Sequence, residues 1–143
     1  MSTLYEIVQR ESQNGNDKKF SSIHHSRDDE IDIKMYIVVN TTPKLSRGKI
    51  CAQVGHAVQG VVNIIRRNKK RWSVYNQNGS TKIVLKAGEE MMKNIIEETT
   101  EKQKVFVVDA GKTQCPPNTV TAIGFLPMYP HEVPKIIKSL SLL

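Results

Sequence analysis

Short apolar runs rich in β-branched residues alternate along this chain with segments of helical period, and that alternation confines it to few folds. Met35-Tyr36-Ile37-Val38-Val39, Lys82-Ile83-Val84-Leu85-Lys86 and Lys104-Val105-Phe106-Val107-Val108 have the length and composition of buried strands. Between the first two, Ile50, Val54, Ala57, Val61 and Ile64/Ile65 recur at three- and four-residue steps, which predicts a helix from Gly48 to Asn68. Between the second and third, Met91, Met92, Ile95 and Ile96 form the stripe of a helix from Glu89 to Thr99. A fourth strand follows over Thr119 to Phe125 and a last short helix over Pro130 to Leu140, while Trp72 to Gly79 reads as a link. Strands joined through helices favour parallel pairing, whereas the short link before the fourth strand permits an antiparallel pair. The expectation is an α/β fold: a single domain with a four-stranded mixed sheet and helices on both faces, in the order βαβαββα.

A length of 143 residues with 38% hydrophobic side chains suits one core. No apolar run approaches the ~18 residues of a membrane span, and the opening residues lack the order of a secretory signal. Cys51 and Cys115 are too few for a disulfide framework and are not spaced as a metal knuckle, which fits two free thiols in a reducing, cytoplasmic setting. The formal charge of +7 divides into −3 over residues 1–33 and +10 from Lys34 onward. The first stretch reads as an acidic, mobile tail able to recruit protein partners, with Leu4 to Val8 able to form a short helix or strand when bound, and residues 34–143 as the folded domain. His24-His25 stands in a polar tract without further ligands and takes no role. A domain of charge +10 attracts polyanions, nucleic acid being the commonest; charge that serves only solubility is an equal alternative at this level.

Loops at the carboxyl ends of strands in such a fold gather along one edge, where sites are usually built. Pro43-Lys44-Leu45-Ser46-Arg47-Gly48-Lys49 brings three cations to the positive start of a helix. Asp109-Ala110-Gly111-Lys112-Thr113-Gln114 offers a carboxylate, a cation, a hydroxyl and an amide. Gly111-Lys112-Thr113 is not a nucleotide-binding P-loop: position 106 is Phe where that motif needs Gly, and Cys115-Pro116-Pro117 stands where it needs a helix. Along the first long helix Lys49, Gln53, His56 and Gly60 form a row at steps of four, three and four, suited to lining a cleft. The alternatives are a core-bonded His56 and a solvent-facing Gln53.

Three segments, Lys34 to Val39, Arg47-Gly48-Lys49-Ile50-Cys51-Ala52-Gln53-Val54-Gly55-His56-Ala57 and Asp109 to Gln114, resemble in order and separation the second, archaeal and eukaryotic family of peptidyl-tRNA hydrolases. The resemblance runs from Lys34 to Leu143. It implies cleavage of the ester between a peptide and the terminal ribose of tRNA, by a homodimer, without metal or cofactor. Carried over by position, it makes Lys49, Asp109 and Thr113 catalytic; Arg47, Gln53, His56, Lys112 and Gln114, in the same segments, read as substrate-binding. Chemistry agrees with that choice. Asp109 can hold Lys49 by a charge-assisted hydrogen bond, Lys49 can stabilise the oxyanion, and Thr113 can orient water or donate to the same oxyanion. Lys49 as a base would have to give up its proton beside a carboxylate, which Asp109 opposes. Arg47, Lys112 and the run from Arg66 to Arg71 read as phosphate contacts.

The bland readings are a Lys49–Asp109 salt bridge that only fastens helix to loop and a Thr113 that only satisfies backbone. Cys115 beside the site is a candidate nucleophile with no histidine near it in sequence. Three departures from the family pattern stand out: Asn40-Thr41-Thr42 replaces an Arg-x-Asp pair, Ser46-Arg47 replaces a Gly-Lys before the Gly-Lys of the helix start, and Gly124-Phe125-Leu126-Pro127-Met128-Tyr129-Pro130 replaces a Gly-x-Gly-Pro turn. They leave room for a rival, a catalytically inactive RNA-binding or adaptor protein of the same fold.

Overall fold

The computed structural model describes residues 3–13, 32–112 and 114–143, the side chains of residues 11–13 excepted. Thr113, His24-His25 and most of the expected tail lie outside the described residues. The elements are α1 (Leu4–Gln13), β1 (Met35–Asn40), α2 (Arg47–Ile65), α3 (Lys69–Gln77), β2 (Lys82–Ala87), α4 (Glu89–Glu98), β3 (Lys104–Asp109), β4 (Thr119–Phe125) and α5 (Lys135–Lys138). One-turn 3-10 helices stand at Glu101–Gln103 and Pro130–Glu132.

The four strands form one mixed sheet in the order β2-β1-β4-β3. β1 pairs in parallel with β2, from Met35 opposite Lys82 to Asn40 opposite Ala87, and antiparallel with β4, which is antiparallel to β3. The expected α/β mixed sheet is therefore present, and its carboxyl ends at β1, β2 and β3 share one edge with the start of β4. β1 is central and buried almost throughout, as its run of apolar residues requires.

Each face of the sheet carries its own core. Ile33, Met35, Ile37, Val107 and Ala122 pack under Ala57, Val61 and Ile65 of α2 and Tyr75 of α3. Val38, Leu85, Val120, Ile123 and Phe125 pack under α4 and α5, through Met92, Ile95, Ile96 and Ile137. Leu4 and Val8 belong to this second core. Residues 4–13, expected within the mobile tail, are thus a helix packed on α4; two apolar residues four apart suffice to seat it where a groove is available.

Two further differences have local causes. Trp72 to Gly79, expected as a link, lies mostly within α3, whose start is capped by Asn68 accepting from the Arg71 N–H at 3.2 Å and whose Tyr75 is buried. The expected final helix is split, because Pro134 follows a 3-10 turn and leaves only four residues to α5. After it the chain returns antiparallel to the outer side of β2, where Lys86 N–H donates to Ser141 and Leu143 N–H to Val84, each at 3.0 Å.

Candidate active site

The site lies where β3 ends against the first turns of α2. Ser46 caps α2 by accepting the Lys49 N–H at 3.3 Å, and Gln114 braces that cap from the facing loop. Gln114 accepts the Ser46 N–H at 2.7 Å through Oε1 and donates through Nε2 to Ser46 Oγ at 2.9 Å. Lys49 is the third residue of the helix, and its ammonium pairs with Asp109 Oδ2, the two side chains being 18% and 7% exposed. The two loops singled out in the sequence therefore meet.

Asp109 is held from several sides. Gln53, on the next turn of α2, donates through Nε2 to Asp109 Oδ2 at 3.1 Å, and the Gly111 N–H donates to Oδ1 at 2.7 Å. Gly111 has φ of +74°, and a Cβ there would run into the Pro117 backbone, so this turn needs glycine. The hydrogen bond from Lys49 first, then that from Gly111, hold the Asp109 carboxyl below its ordinary range despite burial. The group is an anion at neutral pH.

Behind Gln53 stands Thr121, whose hydroxyl donates to Gln53 Oε1 at 2.9 Å. A bulge sets this contact: Val107 opposes Ala122 while Val108 opposes Val120, so Thr121 is the extra residue of β4. The bulge turns Thr121 toward α2, on the face that Asp109 also uses. Nothing in the sequence marks a bulge at Thr121, so this residue could not have been found there.

Of the expected site residues, the structure brings together Lys49, Gln53, Asp109 and Gln114. Gln53 is not on an open row; it is buried, because the buried stripe of α2 is Gln53, Ala57, Val61 and Ile65 while Ile64 is exposed. Arg47, His56 and Lys112 are exposed, which excludes the core alternative for His56. Gln114 turns its amide to Ser46. Cys115 is buried, and burial first, then its hydrogen bond with Asp109, push its thiol above the ordinary value. A nucleophilic cysteine needs the opposite shift, so the nucleophile reading of Cys115 fails.

The altered Asn40-Thr41-Thr42 segment serves the scaffold at this edge. Asn40 donates to the Val120 carbonyl at 2.9 Å and accepts from the Thr42 N–H at 3.0 Å, and Thr42 Oγ1 accepts the Glu89 N–H at 2.8 Å, starting α4. The other altered segment, Gly124 to Pro130, lies at the opposite edge, where Met128 pairs with Lys34.

Residues 33–143 match the family model described as Peptidyl-tRNA hydrolase PTH2. Curated relatives include a protein named peptidyl-tRNA hydrolase from Saccharolobus islandicus, 38% identical over 119 residues, covering 78% of this chain and 99% of that protein. One of the same name from Saccharolobus solfataricus is 39% identical over 121 residues, with the same coverage. A third, from Staphylothermus marinus, is 34% identical over 116 residues, covering 78% of this chain and 96% of its own.

Proposed function

The chain belongs to the peptidyl-tRNA hydrolase family PTH2, and on that premise we propose that it releases peptide and free tRNA by hydrolysing the ester between them, with Lys49, Asp109 and Thr113 at the centre. The observation that carries the roles is the Lys49–Asp109 pair at the first turn of α2. When water attacks the ester carbonyl, negative charge develops on its oxygen. A cation already fixed beside a helix start meets that charge with little reorganisation, a class of contact worth about 10²–10³ in rate. Asp109 holds and aims the Lys49 ammonium, Thr113 orients the water or donates to the oxyanion, and the ribose hydroxyl leaves with the proton the water gives up.

Arg47, Lys112, His56 and Gln114 border the site and contact the 3′ end of the tRNA, and Gln53 acts by holding Asp109. The protein works in this reading as a cytoplasmic homodimer whose catalytic domain is residues 34–143, with residues 1–33 serving protein partners. Among the described residues no helix is long and apolar enough to cross a membrane.

The test is hydrolysis of an N-blocked aminoacyl-tRNA by the purified protein beside Lys49→Ala and Asp109→Ala, each checked for folding. The expected result is turnover by the parent and a fall of at least a hundredfold in both variants. An inactive parent that binds tRNA in a salt-dependent way would transfer the argument to the adaptor reading. Unchanged rates in both variants would remove the roles given to the pair.

A further inference from the structure

Between Ile33 and Gly88 the sequence has eleven basic residues and no acidic one. The fold lays the helices of this segment, α2 and α3, on one face of the sheet. The glutamates 89, 90, 97 and 98 stand on α4 and Glu6 on α1, both on the other face. The two acids that meet α2 and α3 are already matched, Asp109 to Lys49 and Glu132 to Arg71. Among the described residues the acids of α1 and α4 thus lie on the face opposite α2 and α3, where Arg10, Lys93, Lys135 and Lys138 largely offset them, and the α2–α3 face is left cationic.

The cationic face is densest at the turn from α2 to α3, where Arg66, Arg67, Lys69 and Lys70 are all exposed. Arg71 does not belong to this set: it is half-buried and bidentate to Glu132, at 2.6 and 2.9 Å. Arg66 and Arg67 suit the negative end of α2. Lys69 and Lys70 do not suit their place, since they occupy the positive first turn of α3, which has no acidic residue. Such a placement costs about 0.3–1 kcal/mol per charge. Folding therefore gives no reason for these two lysines, and a local cost without a local gain points to an external anion.

Geometry states which anion. Along α2 the turn stands about 25 Å from Lys49, and no acidic side chain of that helix lies between them. A lone phosphate cannot reach both places, whereas a nucleic-acid duplex that ends near Lys49 presents phosphates along that whole path. Resting on the function proposed above, we infer that Arg66, Arg67, Lys69 and Lys70 hold the backbone of the double-stranded stem of the tRNA whose 3′ end lies at Lys49 and Asp109.

Two double variants with equal loss of charge test this: Lys69→Gln/Lys70→Gln on the cationic face and Lys135→Gln/Lys138→Gln on α5, both exposed pairs. Deacylated tRNA binding is titrated against salt, and hydrolysis is measured on an N-blocked aminoacyl ester of a short CCA oligonucleotide that lacks a stem. The first variant should weaken tRNA binding about tenfold at moderate salt, lower the log–log salt slope by one to two, leave short-ester cleavage unchanged, and be no less heat-stable than the parent. The α5 variant should bind as the parent does. Equal weakening in both variants, or none in the first, would overturn the inference. So would tRNA binding that is unaffected while the first variant loses sedimentation with phosphatidylserine vesicles. A parent that binds tRNA through this turn yet leaves both the short ester and an N-blocked aminoacyl-tRNA intact would instead remove the hydrolase reading and keep the surface.

Discussion

Gln53 Nε2 and the Lys49 ammonium converge on one oxygen, Oδ2 of Asp109. A neutral amide thus shares the carboxylate with the cation, and its own carbonyl is fixed by Thr121. Gln53→Ala should therefore lower kcat by about tenfold or more, some 1.4 kcal/mol, with a smaller effect on KM. Buried Thr121 loses Gln53 Oε1 in the same variant and keeps only the Val107 carbonyl, at 3.3 Å, so stability to urea should fall by about 0.5–1.5 kcal/mol. Thr121→Val tests the relay separately: a reduced kcat with unchanged tRNA affinity is the expected result.

The depressed Asp109 carboxyl has a consequence for acid stability. A carboxylate whose folded-state value lies below its ordinary 3.8 contributes in full above that pH, and the contribution is lost as pH falls through the lower folded value. Asp109→Asn should accordingly be less stable than the parent at neutral pH, and the gap should close below about pH 4. Urea unfolding of both proteins between pH 7 and pH 3 measures it.

Gly111→Ala probes the turn after β3. The positive φ and the Pro117 backbone both oppose a Cβ, so a loss of about 1–3 kcal/mol in stability is expected. The Gly111 N–H would move from Asp109 Oδ1, and kcat should fall with stability rather than independently of it.

Lys104 provides a contrast at the opposite edge. It is buried, and its ammonium donates to the Ile96 and Thr99 carbonyls at 2.8 and 2.9 Å and to Thr99 Oγ1 at 3.1 Å. It thereby serves the carbonyl end of α4, where a cation also suits the helix dipole. Lys104→Met keeps the stem and removes the donors. It should cost about 2–4 kcal/mol in thermal or urea unfolding and leave kcat at the parent level.

The strand–helix alternation, the mixed sheet and the gathering of the two site loops at one edge were legible in the sequence because each depends on local pattern and order, while the choice of Lys49 and Asp109 as partners came from the family resemblance. What was not legible depends on register. The apolar residues of α2 are spread widely enough that pattern alone put Gln53 on an open row, and only the packed sheet sets it inward. Thr121 needs a bulge that no residue type announces. α3 has a single buried residue, Tyr75, and so lacks a stripe; its capping Asn68 was the available signal. α1 hides for a similar reason, since Leu4 and Val8 acquire meaning only once α4 is beside them.

The return of Ser141 to Leu143 along β2 leaves the sheet with a single unpaired border among the described residues, that of β3. An edge strand with open N–H and C=O groups is a template for pairing with other chains, so a segment seated on it removes part of that template. The last three residues therefore shield the middle of the β2 margin, and a change that freed them would add that margin's N–H and C=O groups to the open strand edge of the sheet.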